Sequence, residues 1–175
     1  MDEQAVAAQI DAFHDALTGL PNRRLLDDRL QQLLHLARRR TRQLAVVLMD
    51  LDNFKQVNDE RGHAVGDAVL REVAARLARC VRKADTVARH GADEFALVLC
   101  DLQAEAGCRL VAERLLRTMA EEIPAQGRPV ALAVSVGISL FPADAGDGEA
   151  LLRNAGAALH RAKQAGHNQY AFYGR

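Results

Sequence analysis

The sequence predicts an α+β fold in which helices pack over one mixed sheet. Helical stripes of apolar residues alternate with short apolar runs along the 175-residue chain. The segment R-H-G-A-D-E-F at residues 89–95 predicts a β-hairpin, which requires an antiparallel pair within the sheet. The length is typical of one domain, and with 49% hydrophobic residues the chain can bury a substantial core.

The N-terminal part is predicted to be helical. Residues 1–14 have the apolar spacing of an amphipathic helix, interpreted as a connector from an upstream region. Turn residues at Thr18–Asn22 interrupt this pattern, and residues 15–175 are expected to form the domain. A leucine stripe then predicts a helix from Arg23 to about Arg40.

The rest of the chain is predicted to alternate between strands and helices. Leu44–Met49 is a continuous apolar run, which is typical of a buried central strand. The other predicted strands are 86–88, 94–99, 130–139 and a short one at 169–173. Helices are predicted over about 67–81 and about 150–165, and a third of about fifteen residues follows the hairpin. The stretch from the end of the central strand through Gly66 is predicted to be a polar turn region.

Composition excludes several classes of function. Lys and Arg together number 23, as do Asp and Glu, so no overall field favours a polynucleotide or a membrane surface. The local basic cluster at Arg38–Arg40 and Arg42 is interpreted as a solvated helix end. We therefore expect no polynucleotide partner.

The cysteines and the hydropathy pattern predict a cytoplasmic domain. The three cysteines are odd in number and lack the spacing of metal ligands, so reduced, partly buried thiols are expected. No stretch approaches the roughly 18 apolar residues of a membrane span, and no signal-peptide pattern precedes the domain. A membrane-anchored parent protein remains compatible with this pattern.

Two carboxylates follow the predicted central strand. Asp50 and Asp52 stand where a buried strand ends, which directs a carboxylate to the sheet edge, where ligands and metals bind. The alternative is that both only cap the strand and begin a turn. A calcium loop of the EF-hand type is excluded, because Phe54 stands where an oxygen ligand is needed and Lys55 stands where the loop needs its glycine.

A second acidic pair, Asp93 and Glu94, lies at the predicted hairpin tip. Alone, such residues are usually solvated. Together with Asp50, they predict a site for a divalent cation and nucleotide phosphates, since Mg²⁺ prefers one or two carboxylates with water and phosphate oxygens. Asn58 and Asp67 could read the donor and acceptor edge of guanine, or could simply form turns and cap helices.

Four motifs in the same order resemble one protein family, the diguanylate cyclases, named GGDEF domains after their hairpin motif. The resemblance runs from Asp15 to about Asn168. The motifs are D-A-L-T-G-L-P-N-R-R at 15–24, D-L-D-N-F-K-Q-V-N-D-E-R-G-H-A-V-G-D at 50–67, R-H-G-A-D-E-F at 89–95 and S-V-G-I-S at 135–139.

This resemblance implies a fold and an activity. The implied fold is palm-like, similar to nucleotide cyclases, with a central five-stranded, mainly antiparallel sheet flanked by helices. The implied reaction condenses two GTP molecules into cyclic di-GMP with Mg²⁺ or Mn²⁺. One domain holds one GTP, so a homodimer of facing domains is implied, together with an upstream sensory or regulatory domain.

The resemblance also implies roles for individual residues. Asp50, the Leu51 carbonyl and Asp93 would hold the metal, and Asp93 would help to deprotonate the attacking 3′-hydroxyl with support from Glu94. Four groups of residues complete the implied GTP site. Asn58 and Asp67 would read guanine, and Asn53, Phe54 and Lys55 would contact phosphates through their main chain. Gly91 and Ala92 would line the site at the hairpin turn, and Lys163 would reach the terminal phosphates.

An inhibitory product site is implied as well. Arg82-Lys83-Ala84-Asp85 fits the family's R-x-x-D motif, and Arg114 matches the second arginine of that site. Guanidinium groups suit guanine edges and phosphates, so cyclic di-GMP is the expected ligand. The alternative interpretation is a helix-terminal ion pair.

Three positions depart from the family pattern. Ala92 replaces a second glycine. A type II′ turn would tolerate this alanine, because such a turn needs positive φ only at Gly91. The alanine methyl group would, however, lie beside GTP. His167 replaces an arginine and His160 an aromatic residue. Two functions therefore stay open: an active cyclase with product inhibition, and a non-catalytic module that binds cyclic di-GMP or regulates a phosphodiesterase domain. An unrelated interaction domain would require the motifs to be coincidental.

Overall fold

The computed structural model describes residues 12–175, so residues 1–11 of the predicted connector helix lie outside the described part. The helices and strands follow the predicted order, with one additional helix after the central strand. In chain order they are α1 (Arg23–Arg40), β1 (Gln43–Leu51), α2 (Phe54–Arg61), α3 (His63–Cys80), β2 (Thr86–Arg89), β3 (Glu94–Leu102), α4 (Glu105–Met119), β4 (Val134–Phe141), α5 (Gly148–Gln164) and β5 (Tyr170–Phe172).

The strands form one five-stranded sheet in the order β2-β3-β1-β4-β5. All neighbouring pairs are antiparallel except β4 and β5, which are parallel. The prediction of an α+β fold with a mainly antiparallel sheet is confirmed. Leu44–Met49 lies in the central strand, and each of its six residues is buried, as the continuous apolar run predicts.

Helices cover both faces of the sheet, because successive side chains of β1 point to opposite sides. Ala45, Val47 and Met49 belong to one core, which α3 and α4 cover. Leu44, Val46 and Leu48 belong to the other, which α1 and α5 cover. The sheet is thus the middle of three layers. Helices pack against its two faces, and the candidate site residues lie at the ends of its strands.

The stretch after β1 is helical, contrary to the predicted polar turn region. Residues 54–61 form α2, and α3 begins at His63 rather than near Asp67. Gly62, with φ of 86°, separates the two helices. Because α2 buries only Phe54, it lacks the apolar stripe that identifies longer helices.

The fourth strand is also displaced from its predicted bounds of 130–139. It runs from Val134 to Phe141. Val130 instead pairs with Ile123 in an isolated bridge, where the two residues exchange N–H···O bonds of 2.8 Å. Both segments are apolar, so hydropathy alone could not show where one pairing ends and the next begins.

The structure also bears on the environment of the domain. The cysteines, Cys80, Cys100 and Cys108, are all buried and unpaired. Burial raises the pKa of Cys100 to about 11 and that of Cys108 to about 12, so both remain thiols at neutral pH. No helix in the described range is long and apolar enough to cross a membrane.

A glycine allows α5 to lie close against the sheet. A Cβ built on Gly137, in the middle of β4, would lie 2.2 Å from both the Ala155 carbonyl oxygen and the Leu159 amide nitrogen. These are backbone atoms of α5, so they cannot move aside as a side chain does. Gly156, on α5 itself, has only the Leu48 Cδ1 atom near a built Cβ, at 3.8 Å.

We expect Gly137→Ala to lower the free energy of unfolding by about 3 kcal/mol, because the helix must move off the sheet. The matched variant Gly156→Ala should raise it by about 0.5–1 kcal/mol, since it adds helix propensity without a clash. Urea unfolding followed by circular dichroism measures both. A Gly137→Ala protein as stable as the parent would contradict this packing.

Candidate functional site

Cross-strand register brings the two predicted acidic sites together. Asp50, near the end of β1, pairs directly with Glu94 at the start of β3. The Leu51 amide donates to the Asp93 carbonyl oxygen at 3.2 Å, which fastens the hairpin tip to β1. Residues more than 40 positions apart in sequence therefore share one end of the sheet.

The Asp50 carboxylate has one engaged oxygen and one free oxygen. Its Oδ2 accepts a hydrogen bond from the ammonium group of Lys163, on α5. Its Oδ1 is buried and has no hydrogen-bond partner among the described residues. A buried acceptor left in this state is costly, so it marks a position where a ligand would be stabilising.

Burial and charge shift the pKa values of this pair. Burial is the largest cause of a raised Asp50 pKa; the Lys163 hydrogen bond opposes it, and the charges of Asp93 and Glu94 add to it. For Lys163, burial alone would lower the pKa, but the hydrogen bond and charge of Asp50 outweigh it and raise the pKa. The site holds excess negative charge that one lysine offsets only in part.

These residues fit a divalent cation. A buried, unpartnered carboxylate oxygen, a second acidic residue and a carbonyl at a strand end are the hard oxygen donors that Mg²⁺ prefers. Among residues 12–175, no group of three or more His, Cys, Asp or Glu side chains is arranged to hold a metal. A cation here would therefore share its coordination with ligands other than such side chains.

Asp52 differs from Asp50 and supports the alternative of a structural cap. It is buried, and its Oδ1 accepts from the Ser135 hydroxyl at 2.8 Å. Its Oδ2 accepts from the Asn168 amide at 3.0 Å. Asp52 thus joins β1 to β4 and to the segment after α5. Asn168 and His167 both have positive φ, so this segment folds back sharply after Lys163.

The hairpin turn is not of the predicted two-residue type. Neither Gly91 nor Ala92 has positive φ, which both excludes types I′ and II′ and removes the expected strain at alanine. The His90 and Gly91 amides both donate to the Glu94 carbonyl oxygen, at 2.8 and 3.1 Å. Residues 91–93 form a three-residue loop, in which Ala92 is exposed.

Arg89 braces this loop, a role that the sequence did not reveal. Its Nη1 donates to both Asp15 carboxylate oxygens, at 3.1 and 3.2 Å, and its Nη2 donates to the Ala92 carbonyl oxygen at 2.7 Å. Asp15 also accepts from the Thr18 amide and hydroxyl. Burial opposes the shift, but the bonds from Thr18 and Arg89 lower the Asp15 pKa. Asp15 and Thr18 of the D-A-L-T motif thus hold Arg89 in place against the hairpin loop.

His90 is a second residue that sequence reasoning missed. Its Nδ1 lies 2.5 Å from Glu94 Oε1, across the loop. Its Nε2 is buried and has no hydrogen-bond partner within the described part of the chain. The imidazole therefore fixes the direction of the Glu94 carboxylate. The pairing depends on the loop conformation, which residue identity alone does not determine.

The predicted guanine readers lie at the junction of α2 and α3. A Cβ built on Gly66 would lie 1.8 Å from Asn58 Oδ1, so the Asn58 side chain rests directly on this glycine. Asp67 follows in the next position of α3. Gly66 is thus a further site residue, because any side chain there would displace Asn58.

The predicted phosphate contacts lie at the N-terminus of α2. Asn53, with φ of 59°, precedes the helix and makes no side-chain capping bond in the described structure. Phe54 is buried and Lys55 is exposed. The first amide groups of a helix lack intrahelical acceptors, so this end presents N–H donors near the strand end that carries Asp50.

Arg82, Asp85 and Arg114, the predicted product site, line one groove. This product groove has a volume of about 350 Å³ and lies at the opposite end of β3 from Glu94. The other lining residues are Cys80, Leu99, Asp101, Leu102, Gln103, Gly107, Leu110 and Val111. The structure thus brings the three predicted residues together.

The chain is similar in sequence and in fold to known proteins over most of its length. The family model "Diguanylate cyclase, GGDEF domain" matches residues 12–169. The bifunctional diguanylate cyclase/cyclic di-GMP phosphodiesterase MucR of Pseudomonas aeruginosa is 44% identical over 162 residues, which are 93% of this chain and 24% of MucR. The cyclic di-GMP phosphodiesterase NbdA of the same organism is 42% identical over 164 residues, 94% of this chain and 21% of NbdA.

A cyclase of that organism, TpbB, is 40% identical over 164 residues, 93% of this chain and 38% of TpbB. The chain thus spans about a fifth to two fifths of these relatives. The solved GGDEF domain of TpbB has a TM-score of 0.89 at 38% identity, with 91% of this chain and 94% of that chain covered. The GGDEF domain of DgcB from Caulobacter crescentus, in complex with c-di-GMP, has a TM-score of 0.84 at 28% identity, with 94% of each covered.

The pairing of Asp50 with Lys163 leads to a prediction about titration. In Lys163→Met the Asp50 pKa should rise further, because the cation that favours the carboxylate is lost while Asp93 and Glu94 remain. Lys83→Met, a substitution before the start of β2 and far from the hairpin loop, should leave the Asp50 pKa unchanged. Carbon-detected NMR titration of the Asp side chains measures this, and an Asp50 pKa that falls in Lys163→Met would contradict the electrostatics described above.

Proposed function

The chain belongs to the GGDEF domain family, and from this premise we propose that it is a diguanylate cyclase that condenses two GTP molecules into cyclic di-GMP. The observation that carries the proposal is the buried, unpartnered Oδ1 of Asp50, opposite Glu94 and beside the hairpin tip that bears Asp93. An acidic pocket with an unused oxygen is suited to a cation that carries nucleotide phosphates.

Asp50, the Leu51 carbonyl and Asp93 would hold Mg²⁺ or Mn²⁺. When bound, the cation would neutralise phosphate charge and favour the 3′-alkoxide nucleophile. Asp93 would help to accept the proton of the 3′-hydroxyl, while Glu94, oriented by His90, would support the cluster. The burial of Asp50 excludes water from its free oxygen and strengthens its attraction to a cation.

Lys163 would change partners when substrate binds. In the structure its ammonium group neutralises Asp50 Oδ2. A divalent cation at Asp50 would take over that neutralisation, and the lysine would then be free to contact the terminal phosphates of GTP. The side chain of Lys163 is about one-third exposed, so it can reach toward solvent without disturbing the core.

The remaining GTP contacts would come from α2 and α3. Asn58 and Asp67 would read the guanine edge at the helix junction, where Gly66 makes room for the Asn58 amide. The amides of Asn53, Phe54 and Lys55 would meet the phosphates at the α2 N-terminus. Gly91 and Ala92 would line the same GTP site at the hairpin loop.

Catalysis would require two copies of the domain. One site holds one GTP, and the 3′-hydroxyl of each nucleotide must attack the α-phosphate of the other and displace its pyrophosphate, so the sites must face each other in a homodimer that releases two pyrophosphates per cyclic di-GMP. The relatives are several-fold longer than this chain. We infer that an upstream sensory or regulatory region of the parent protein brings two cytoplasmic domains together.

The product groove would bind cyclic di-GMP and inhibit the enzyme. Two arginines, Arg82 and Arg114, line it. They match the charge of a dinucleotide with two phosphates. The GGDEF domain of DgcB, similar in fold, was solved in complex with c-di-GMP, which supports the assignment of this ligand class.

A second function is a non-catalytic regulatory module. Ala92 stands where the family has glycine, and the relative NbdA is named as a cyclic di-GMP phosphodiesterase. A domain of this kind would bind cyclic di-GMP in the product groove or regulate a neighbouring phosphodiesterase domain without forming the product itself.

The cyclase proposal is tested with the chain fused to a dimeric coiled coil, incubated with GTP and MgCl₂, and assayed for cyclic di-GMP by chromatography. Asp93→Asn should lower the rate about a hundredfold or more, because it removes a metal ligand and proton acceptor. Asp28→Asn, an exposed position on α1, should leave the rate unchanged. Equal rates in parent and Asp93→Asn would refute the assigned chemistry.

The Ala92→Gly variant separates the two functions. Because Ala92 has no positive φ, glycine relieves no strain there, and an active parent should differ from the variant by no more than about twofold in rate. The same coiled-coil fusion and product assay apply. An inactive parent with an active Ala92→Gly variant would favour the regulatory module, in which the methyl group blocks GTP.

A further inference from the structure

Helix α2 carries the guanine reader Asn58 and proposed phosphate contacts, yet packing holds it only weakly. It buries one residue, Phe54, and Val57 is partly buried against the same core. Asn53 and Gly62, the residues that flank the helix, both have positive φ. The chain therefore turns sharply at both ends of α2, so that neither β1 nor α3 continues into it. Other contacts must fix the orientation of this short helix.

A cavity of about 430 Å³ lies beside α2. Four residues of the helix line it on one side, and residues 128–133, the segment before β4, line it on the other. Close packing normally fixes a helix against its neighbours, and along this side of α2 it is missing. Arg61, in the last turn of the helix, lines the same cavity.

The Arg61 guanidinium joins the two sides of this cavity. Its Nη2 donates to the carbonyl oxygens of Gln126 and Arg128, both at 2.8 Å. Hydrogen bonds from a charged donor are stronger than neutral ones. The two acceptors lie in a loop whose ends are joined by the buried pair Ile123 and Val130. Arg61 therefore ties the last turn of α2 to a loop that the core holds in place.

A second arginine ties α3 to the same segment. Arg76, which is only 5% exposed, donates from α3 to three carbonyl oxygens within residues 118–122, where α4 ends, at 2.7–3.0 Å. Helices α2 and α3 carry the two proposed guanine readers, Asn58 and Asp67. Because both arginines bind one continuous segment of chain, that segment fixes α2 relative to α3.

We propose that Arg61 is a positioning residue for the GTP site. It holds α2 where Asn58 can read guanine together with Asp67, and where the first amides of the helix can meet phosphates. This inference rests on the cyclase function proposed above. It assigns part of the affinity for GTP, and part of the preference for guanine, to a side chain that contacts no nucleotide.

The first test compares Arg61→Met, which keeps a long side chain but removes both hydrogen bonds, with Arg117→Met, at an exposed position on α4. In the coiled-coil fusion, Arg61→Met should raise the KM for GTP about tenfold and change kcat by less than about twofold, because the proposed metal ligands do not lie on α2. Arg117→Met should match the parent in both. Arg61→Lys, whose ammonium group can still donate to carbonyl oxygens, should recover part of the affinity.

Equilibrium binding separates positioning from a general loss of structure. The full chain is titrated calorimetrically with 3′-deoxy-GTP, which lacks the attacking hydroxyl, and with the matching inosine triphosphate, which lacks the exocyclic amine. Arg61→Met should bind 3′-deoxy-GTP about tenfold more weakly and lose most of the preference for guanine over hypoxanthine. The amides of α2 should exchange with deuterium faster in this variant, while those of β1 should exchange at the parent's rate.

Equal affinity and equal base preference in the parent and in Arg61→Met would refute the positioning role and leave the cyclase function standing. A fall in kcat at unchanged KM would also contradict it, because Arg61 would then act on the chemical step. Faster exchange in β1 as well as in α2 would mean that Arg61 only stabilises the fold, which again refutes the role. A parent that binds no 3′-deoxy-GTP would overturn both the positioning role and the cyclase function.

Discussion

Antiparallel pairing of β1 with β3 places two carboxylates, Asp50 and Glu94, directly opposite each other at one end of the sheet. Like charges in this position destabilise a sheet, so the pairing needs compensation. Lys163 binds Asp50 from α5, and His90 contacts Glu94 from within the hairpin. Lys163 and His90 therefore hold the acidic strand ends together against the repulsion between the two carboxylates. They offset this repulsion only in part, and a divalent cation would offset more of it.

The position of Lys163 depends in turn on how closely α5 approaches the sheet. Gly137 permits that approach, because its missing side chain leaves space for backbone atoms of α5. Beyond the helix, Asp52 binds the Asn168 amide and returns the chain to the sheet next to β4. A strand glycine and a buried carboxylate, both distant in sequence from Lys163, thus help to position this lysine against Asp50.

Hydropathy and motif spacing were sufficient for the architecture and for the meeting of the two acidic segments at one end of the sheet. The buried run Leu44–Met49 predicted the central strand, and the acidic residues that follow it do meet the hairpin. Boundaries were less predictable where packing, rather than periodicity, sets them. Helix α2 buries only Phe54, and the apolar residue Val130 pairs outside the sheet, so neither could be assigned from local pattern alone.

What the sequence could not show was the partner of each polar side chain. Asp52 binds the Asn168 amide, and Asp85, which lines the product groove, binds the Arg82 and Cys100 amides. Hydrogen bonds of this kind depend on register and on loop φ, which residue identity does not determine. The same reason applies to Ala92. A backbone conflict with alanine arises only in a turn with positive φ, and Arg89 and the Glu94 carbonyl hold a three-residue loop without positive φ instead. Any effect of the substitution would therefore come from its methyl group rather than from its backbone.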